Sequence, residues 1–207
     1  MSTHEKPVIF SADMVNAILA GNKTQTRRVV KPQPIEVPVT LEGHSGVTLF
    51  RPKKDNAMQG VHESWLKQGR LHHWKCKYGK IGDKLWVRET WSYEPPDELW
   101  VKDIDHLIYR ADYNHPKELN HDEYPTWKPS IHMPRWASRI LLEITDIRVE
   151  RLNDITVSDA IAEGYDGSYQ SPVDPSIKWY ADLWEQINGE GSWSQNQFVW
   201  VISFKRV

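Results

Sequence analysis

The run from Phe198 to Phe204 constrains the fold more than any other segment of the chain. Every residue between Phe198 and Ile202 is apolar, so both faces of a strand formed here are apolar. A strand of this kind is buried on both sides and belongs in the centre of a sheet. The rest of the chain therefore has to supply neighbouring strands on either side of it.

Alternation of apolar and polar residues predicts the other strands, and capping residues predict short helices between them. Strands separated by isolated helices, without regular βαβ alternation, favour an α+β fold built on a small mixed β-barrel. A phase slip near Thr145 and Asp146 predicts a bulge at which the sheet turns. The predicted strands are Pro7–Phe10, Thr24–Val30, Leu85–Trp91, Arg139–Arg151 and Phe198–Phe204, and the predicted helices are Ala12–Ala20, Thr156–Gly164 and Ile177–Ile187.

Two long stretches, at about residues 32–80 and 92–138, have weak patterning and many turn residues. We expect them to be insertions with little regular structure of their own, because prolines and glycines interrupt both. The remaining segments fit one core, so the sequence predicts a single domain over residues 1–207.

The composition of the chain limits which cellular compartment and which binding partners we expect for it. The formal net charge of -2 argues against a basic surface that grips nucleic acid along its backbone. Cys76 is the single cysteine and cannot form an intramolecular disulfide, which is typical of a reducing compartment. No apolar run reaches the roughly 18 residues of a membrane span, and the N-terminal residues lack an apolar signal region. We therefore expect a cytoplasmic protein without membrane contact; the sequence fixes no oligomeric state.

One motif is specific enough to indicate a family. Residues 18–28, ILAGNKTQTRR, resemble the opening signature of the ASCH family, a branch of the PUA-like superfamily. Residues 82–87 (GDKLWV), 140–164 and 198–205 (FVWVISFK) resemble later segments of that family in the expected order. The resemblance implies a PUA-like barrel whose cleft receives a nucleoside or nucleic-acid base. The two long insertions resemble those of longer ASCH proteins carried by phages and prophages.

Within that family, the small bacterial N4-acetylcytidine amidohydrolases are similar at the residues that carry chemistry. Their lysine and threonine lie three apart after a glycine, which matches Lys23 and Thr26. Their glutamate ends a short helix, which matches Glu163, and an arginine matches Arg28. The resemblance implies that Lys23, Thr26 and Glu163 are catalytic and that Arg28 binds substrate or orders Glu163. This chain is much longer than those enzymes, so its insertions can reshape the pocket and change the substrate.

Elementary chemistry supports the same residues. A threonine hydroxyl is a poor nucleophile until a base removes its proton, and a lysine is such a base only when burial lowers its pKa. Glu163 can then shuttle protons between the leaving amine and water. The sequence thus predicts an amidohydrolase that acts on N4-acylated cytidine or a related nucleoside, without metal or cofactor. Two alternatives remain: a non-catalytic module that binds RNA or a modified base, and a metal-independent ribonuclease.

Four further residues are candidates for substrate binding. Glu89 shares a strand face with Leu85 and Val87, and a carboxylate buried there needs a cationic partner such as Arg28 or Lys23. The other three lie in a proline-braced loop whose polar side chains are expected at the pocket: Ser130, His132 and Arg135.

A basic stretch between residues 67 and 80 is a candidate for contact with phosphates and for base stacking. Its predicted nucleic-acid-binding residues are Lys67, Arg70, Trp74, Lys75 and Lys77. His72, His73 and Cys76 have spacing that suits a metal, but no second ligand cluster completes a tetrahedral site. We therefore predict no metal there.

Overall fold

The computed structural model describes residues 4–41, 44–50, 76–93, 106–113, 126–171 and 174–207. Its strands are β1 (Glu5–Ile9), β2 (Gln25–Val29), β3 (Ile35–Leu41), β4 (His44–Phe50), β5 (Lys84–Arg88), β6 (Trp91–Tyr93), β7 (Leu107–Tyr109), β8 (Leu141–Arg151) and β9 (Phe198–Arg206). Its α-helices are α1 (Ala12–Leu19), α2 (Val157–Ala162) and α3 (Pro175–Asn188). Short 3-10 turns cover Arg110–Asp112, Ser130–His132, Arg135–Ala137 and Leu152–Asp154.

Five strands form the main sheet, in the order β1-β5-β8-β9-β2. The pair β1 and β5 is parallel, and the other neighbours are antiparallel. Strand β9 has a neighbour on each side, as its two apolar faces predict. Trp200 and Ile202 pack into one apolar cluster, while Val199 and Val201 pack into another on the opposite face. The strand therefore lies between two cores and belongs to both.

The prediction of an α+β fold is confirmed by this mixed sheet with short flanking helices. In the described part of the chain, the end strands β1 and β2 do not pair with each other, so the sheet is not closed by a ladder. One side chain spans them instead, because Arg28 Nη2 donates to Ile9 O at 2.7 Å. The predicted bulge is confirmed by a shift in the β8–β9 register between Ile144 and Asp146.

Both predicted insertions contain more regular structure than expected. Strands β3 and β4 form an antiparallel hairpin that pairs Ile35 with Phe50, and β6 and β7 form a second one. Apolar residues alternate with other residues from Ile35 to Leu41, and this strand signal was obscured by Pro38. The division into one domain with two insertions stays a prediction.

Capping residues fix where the helices begin. The Ser11 side chain accepts from the backbone of α1, as predicted. Thr156 and Asp159 form the predicted capping box at the start of α2. Helix α2 packs against α3 and β2, so its C-terminal end is held beside the strand that carries Thr26. Among the described helices, none has the length and apolar character that a bilayer crossing requires.

Candidate active site

A tight turn after α1 places Lys23 between two helices. Gly21 has φ +81°, which a glycine adopts without steric cost. The backbone N–H groups of Asn22 and Lys23 both donate to Ala17 O, at 2.9 and 3.0 Å. Thr24 N donates to Ala162 O at 2.8 Å. These bonds tie the start of β2 to the ends of α1 and α2.

Helix α2 ends at a sharp turn that brings Glu163 against α1. Glu163 caps the helix, and its N–H donates to Asp159 O at 2.8 Å. Gly164 follows with φ +107°, and a Cβ at this position would lie 3.2 Å from the Ala17 Cβ. Only glycine combines a positive φ with the absence of a Cβ, so the close approach of α2 to α1 depends on Gly164.

Lys23 and Glu163 form a buried ion pair. The ammonium donates to the carboxylate Oε2 at 2.6 Å and to the Glu163 backbone oxygen at 2.8 Å. The two side chains are 0% and 3% exposed. Burial lowers the pKa of Lys23, whereas the nearby Glu163 carboxylate acts in the opposite direction. Two of the three predicted catalytic residues thus meet directly, although 140 residues separate them in the chain.

Arg27 holds the second carboxylate oxygen of Glu163. Its Nη1 donates to Glu163 Oε1 at 3.3 Å, and its Nη2 donates to Glu150 Oε1 at 2.6 Å. The same nitrogen forms an ion pair with Asp159 Oδ2 at 3.2 Å, and the Arg27 side chain is 0% exposed. The Glu163 carboxylate is therefore held from both sides by buried cations.

Thr26 lies at a small cavity beside this pair. The cavity has a volume of about 50 Å³ and is lined by Thr26, Arg27, Arg28, Glu163 and one face of α3. Thr26 is almost fully buried. Arg28 also lines it, with its guanidinium 5.3 Å from the centre of the Phe10 ring. The structure thus brings Lys23 into contact with Glu163, and Thr26 and Arg28 line a cavity that Glu163 also lines.

Tyr180 contributes to the same cavity from α3. Burial raises the pKa of its hydroxyl well above the ordinary value, and the Glu163 charge raises it further. The phenol is therefore neutral at physiological pH. A neutral hydroxyl next to a carboxylate can donate a hydrogen bond to it.

A larger cleft of about 670 Å³ adjoins the small cavity. Met14, Glu163 and Leu183 line both spaces. No lysine or arginine occurs among the described residues that line this cleft. Its polar and aromatic lining residues include Asp13, Asn16, Asn22, Asp166, Tyr169, Trp179, Asp182 and Gln186.

Glu89 lies in a different ion cluster. It is 1% exposed, and Arg139 binds it through two hydrogen bonds of 3.0 Å each. Arg139 also binds Asp112 through two bonds of 2.8 Å. The cation that pairs with Glu89 is therefore Arg139, not the suggested Arg28 or Lys23. Burial raises the pKa of Glu89, and Arg139 opposes this effect.

The other predicted contact residues do not line either cavity. Ser130 and His132 belong to a 3-10 turn, and His132 is exposed. Arg135 is exposed and pairs with Glu5 Oε2 at 2.7 Å. Their assignment to substrate binding stays a prediction.

Most of the predicted nucleic-acid-binding stretch lies outside the described residues. This applies to Lys67, Arg70, Trp74 and Lys75, and also to His72 and His73. Lys77 is exposed, with its ammonium 4.9 Å from the centre of the Tyr78 ring. Cys76 is buried. Within the described ranges, no three histidine, cysteine or acidic residues are grouped as metal ligands would be.

Comparison with known proteins gives structural similarities only. No family model and no curated protein sequence matches the chain. Among solved structures, it is similar to an ASCH domain from Lactobacillus crispatus JV V101, with 14% identity and a TM-score of 0.39 over 98% of this chain and 79% of that one. It is also similar to protein EF3133 from Enterococcus faecalis V583, a DUF984 protein, with 11% identity and a TM-score of 0.40 over 100% and 82%.

Sequence reasoning missed Arg27 and Tyr180. Alternation along β2 predicted that Arg27 and Thr26 point to opposite sides, and the register agrees, because Arg27 pairs with Val201 and Thr26 with Ile202. Both residues are buried and both line the small cavity. The available signal was an arginine on a strand that pairs with the apolar part of β9, where a charge needs buried partners. Tyr180 carried no such signal, because a tyrosine on an amphipathic helix is ordinary core packing.

Proposed function

We propose that the protein is an amidohydrolase that removes an acyl group from N4-acylated cytidine or a closely related nucleoside. The observation that carries the proposal is the Lys23–Glu163 contact of 2.6 Å beside the cavity that Thr26 lines. A lysine, a threonine and a carboxylate in one buried place are the parts that amide hydrolysis through an ester intermediate needs.

The buried pair supports a proton-transfer role. Lys23 Nζ donates to Glu163 Oε2 at 2.6 Å, so a proton can pass directly between the two groups. Burial lowers the pKa of Lys23, which favours its neutral amine. The reactive form then has a neutral amine and a protonated Glu163. A neutral amine can accept a proton, and a carboxylic acid can donate one, so the pair holds both functions at once.

In the first half-reaction, Thr26 Oγ1 forms a bond with the acyl carbon and its proton passes to Lys23. The bond from the acyl carbon to N4 then breaks, and Glu163 gives its proton to the leaving N4 amine. Cytidine leaves, and the acyl group remains as an ester on Thr26. Lys23 is now an ammonium and Glu163 a carboxylate, so the number of protons is conserved.

In the second half-reaction, Glu163 removes a proton from water and the oxygen of that water attacks the ester. The bond to Thr26 Oγ1 breaks, and Lys23 returns a proton to the threonine oxygen. A carboxylic acid leaves, and both side chains regain their starting protonation. One pair of groups thus serves as base and acid in turn.

The two spaces around Glu163 suit the two parts of the substrate. A volume of about 50 Å³ is several times the roughly 10–15 Å³ that one water needs, which suits a short acyl group. The volume of about 670 Å³ falls within the roughly 300–1,000 Å³ typical of clefts for small molecules, which suits a nucleoside. Glu163 lines both, next to the bond that would be cut.

The direct test is turnover of N4-acetylcytidine by the purified protein, followed by chromatographic separation of cytidine. Lys23→Met, Thr26→Val and Glu163→Gln are each expected to reduce the rate by at least about 10³-fold, since residues that act as a unit fail together. Thr24→Val is the matched control, because Thr24 is exposed and lines neither cavity. It is expected to retain the wild-type rate.

The ester intermediate gives a second, independent readout. Rapid quenching of wild type with excess substrate, followed by proteolysis and mass spectrometry, should find an acetyl group on the peptide that contains Thr26. Absence of turnover on any N4-acylated cytidine would contradict the proposal. Binding of N4-acetylcytidine without turnover would favour the non-catalytic module, and cleavage of RNA without metal would favour the ribonuclease.

A further inference from the structure

Arg27 connects the buried Lys23–Glu163 pair to two further carboxylates. Its contacts are 3.3 Å to Glu163 Oε1, 2.6 Å to Glu150 Oε1 and 3.2 Å to Asp159 Oδ2. The Arg27 side chain is 0% exposed, so water and salt screen these charges little. One buried guanidinium thus divides its charge among three acids.

Arg148 binds the same two further acids from the solvent side. Its Nε donates to Glu150 Oε2 at 2.9 Å, and its Nη2 donates to Asp159 Oδ1 at 2.7 Å. Its side chain is 38% exposed, and its Nη1 lies 3.9 Å from Asp146 Oδ2. Cations and carboxylates therefore alternate from the buried pair to the surface. We call this set the charge network: Lys23, Glu163, Arg27, Glu150, Asp159 and Arg148.

The main sheet fixes the position of three of these side chains. Arg27 on β2 and Arg148 on β8 both pair with Val201 of β9, so the two guanidinium groups lie on the same face of the sheet. Glu150 pairs with Val199, two residues away along β9, and therefore shares that face. The spacing between these charges is thus set by strand register.

Other charged and titratable groups also lie near Glu163. Lys23 contacts its Oε2, and Tyr180 of α3 lines the small cavity together with Arg28. The larger cleft that Glu163 lines has three further acids among the described residues, the last of them paired with Lys178: Asp13, Asp166 and Asp182. None of these groups changes in the test of the charge network, so they form a constant background.

The proposed reaction places a constraint on the charge of Arg27. It starts from a neutral Lys23 and a protonated Glu163. A cation that touches a carboxylate favours its ionised form, so a fully charged Arg27 without other partners would disfavour that starting state. Further carboxylates on the same guanidinium reduce this effect.

We propose that Glu150 and Asp159 offset the charge of Arg27 and thereby allow Glu163 to exchange protons with Lys23. This inference rests on the proposed function. Glu150 lines neither cavity, so it is a positioning residue that acts on Glu163 through Arg27. Asp159 also belongs to the capping box of α2, which makes Glu150 the better position for a test.

Glu150→Gln removes one negative charge and keeps the size of the side chain. Protonation of the Lys23–Glu163 pair becomes less favourable, so both limbs of the pH profile of kcat/KM for N4-acetylcytidine should move to lower pH by about one unit. Glu163 is closer to the lost charge through Arg27 than Lys23 is. The kcat at the optimum is therefore expected to fall by about tenfold, the equivalent of one pH unit in the transfer of a proton from Lys23 to Glu163.

Arg148→Gln removes a positive charge from the same network. Both limbs should then move to higher pH, whereas damage to the fold would not reverse the direction of the shift. Glu143→Gln is the matched control, because Glu143 also lies on β8 but pairs with Lys205 at 3.1 Å, outside the charge network. Its pH profile should equal that of wild type.

NMR titration of the Lys23 side chain gives a readout that needs no turnover. Arg27 and Arg28 both lower the pKa of Lys23, so loss of an acid that offsets Arg27 should lower this pKa further. With ¹⁵N-labelled lysine and the signal assigned by its absence in Lys23→Met, the titration should move to lower pH in Glu150→Gln and to higher pH in Arg148→Gln.

The outcomes distinguish the two proposals. Opposite shifts in Glu150→Gln and Arg148→Gln, with no shift in Glu143→Gln, support charge compensation of Arg27. An active wild type whose pH profile and Lys23 titration are unchanged in Glu150→Gln overturns it and leaves the amidohydrolase intact. If wild type is inactive, the amidohydrolase is contradicted, and the Lys23 titration alone decides whether Glu150 offsets Arg27.

Discussion

Burial of the charged Lys23 side chain costs the fold stability. A buried ammonium and carboxylate lose most of their hydration, and their attraction rarely offsets that loss in full. Arg27 adds a second buried cation, with Glu150 and Asp159 as its further counter-ions. The proposed mechanism uses these groups for proton transfer, whereas an apolar core of equal volume would hold the fold as well.

The first prediction follows from that cost. Lys23→Met leaves Glu163 buried with Arg27 alone and is expected to lower the free energy of unfolding by about 3 kcal/mol. The double variant Lys23→Met/Glu163→Leu removes both charges and is expected to recover most of this loss while remaining inactive. Urea unfolding measures both. A double variant that is less stable than Lys23→Met would show that the pair itself stabilises the fold.

Gly164 gives a second prediction at the residue scale. Gly164→Ala places a methyl group 3.2 Å from the Ala17 Cβ at φ +107°, which should push α2 and Glu163 away from Lys23. We expect a lower melting temperature and a large loss of turnover. Gly167→Ala is the control, because Gly167 has φ +84° with nothing within 4 Å of its added Cβ. Gly167→Ala should lose only the stability that a positive φ costs an alanine, about 1–2 kcal/mol, and it should retain turnover.

Among the secondary-structure elements, α3 determines the shape of the small cavity. It lines the cavity with Tyr180, Leu183, Trp184 and Ile187, a spacing that places all four on one face of a helix. The same helix lines the larger cleft with Trp179, Asp182 and Gln186. Substitutions along α3 should therefore change which acyl groups are accepted without touching Lys23 or Thr26.

A third prediction concerns acyl size. Ile187→Ala enlarges the small cavity, so the ratio of kcat/KM for N4-butanoylcytidine over N4-acetylcytidine is expected to rise by about tenfold, the usual effect of one or two methylenes of pocket space. Ile177→Ala is the matched control, since Ile177 lies on α3 and lines neither cavity. Equal ratios in Ile187→Ala and Ile177→Ala would place the acyl group elsewhere.

The sequence predicted helices and strands best where residues next to each other in the chain determine the structure. Caps at Ser11 and Thr156 and the two apolar faces of Phe198–Ile202 predict their elements correctly, because these features depend on neighbouring residues. The motif also predicted that Lys23 and Glu163 would meet. The ion pairs of Arg27 could not be predicted in this way, since its three acidic partners come from β8 and α2 and meet it only in the folded chain. The β3–β4 hairpin was missed because Pro38 is usually a sign against a strand.

At the scale of the whole molecule, two separate ion clusters in the described part of the chain each contain a buried carboxylate. One surrounds Glu163, and the other joins Glu89, Arg139 and Asp112. Glu89 lines neither cavity, so we expect its cluster to affect stability and not turnover. Turnover assays should therefore report on the cluster around Glu163, and unfolding measurements should report on the cluster around Glu89.

The fourth prediction uses the pKa of Glu89. Burial raises this pKa in the folded protein above its value in the unfolded chain, so stability from this carboxyl is present at low pH and is lost as pH rises through the folded value. Glu89→Gln does not titrate. Its melting temperature relative to wild type should therefore increase between acidic and neutral pH, with turnover of N4-acetylcytidine unchanged. A large rise in KM would instead show that Glu89 contacts the substrate.

The position of β9 has a consequence for biosynthesis. Strand β2, which carries Thr26 and Arg27, has β9 as its neighbour in the main sheet, and β9 begins only at Phe198. Translation therefore has to pass Phe198 before the strand that carries Thr26 can be hydrogen-bonded into the sheet. Fragments that stop short of Phe198 should lack turnover of N4-acetylcytidine.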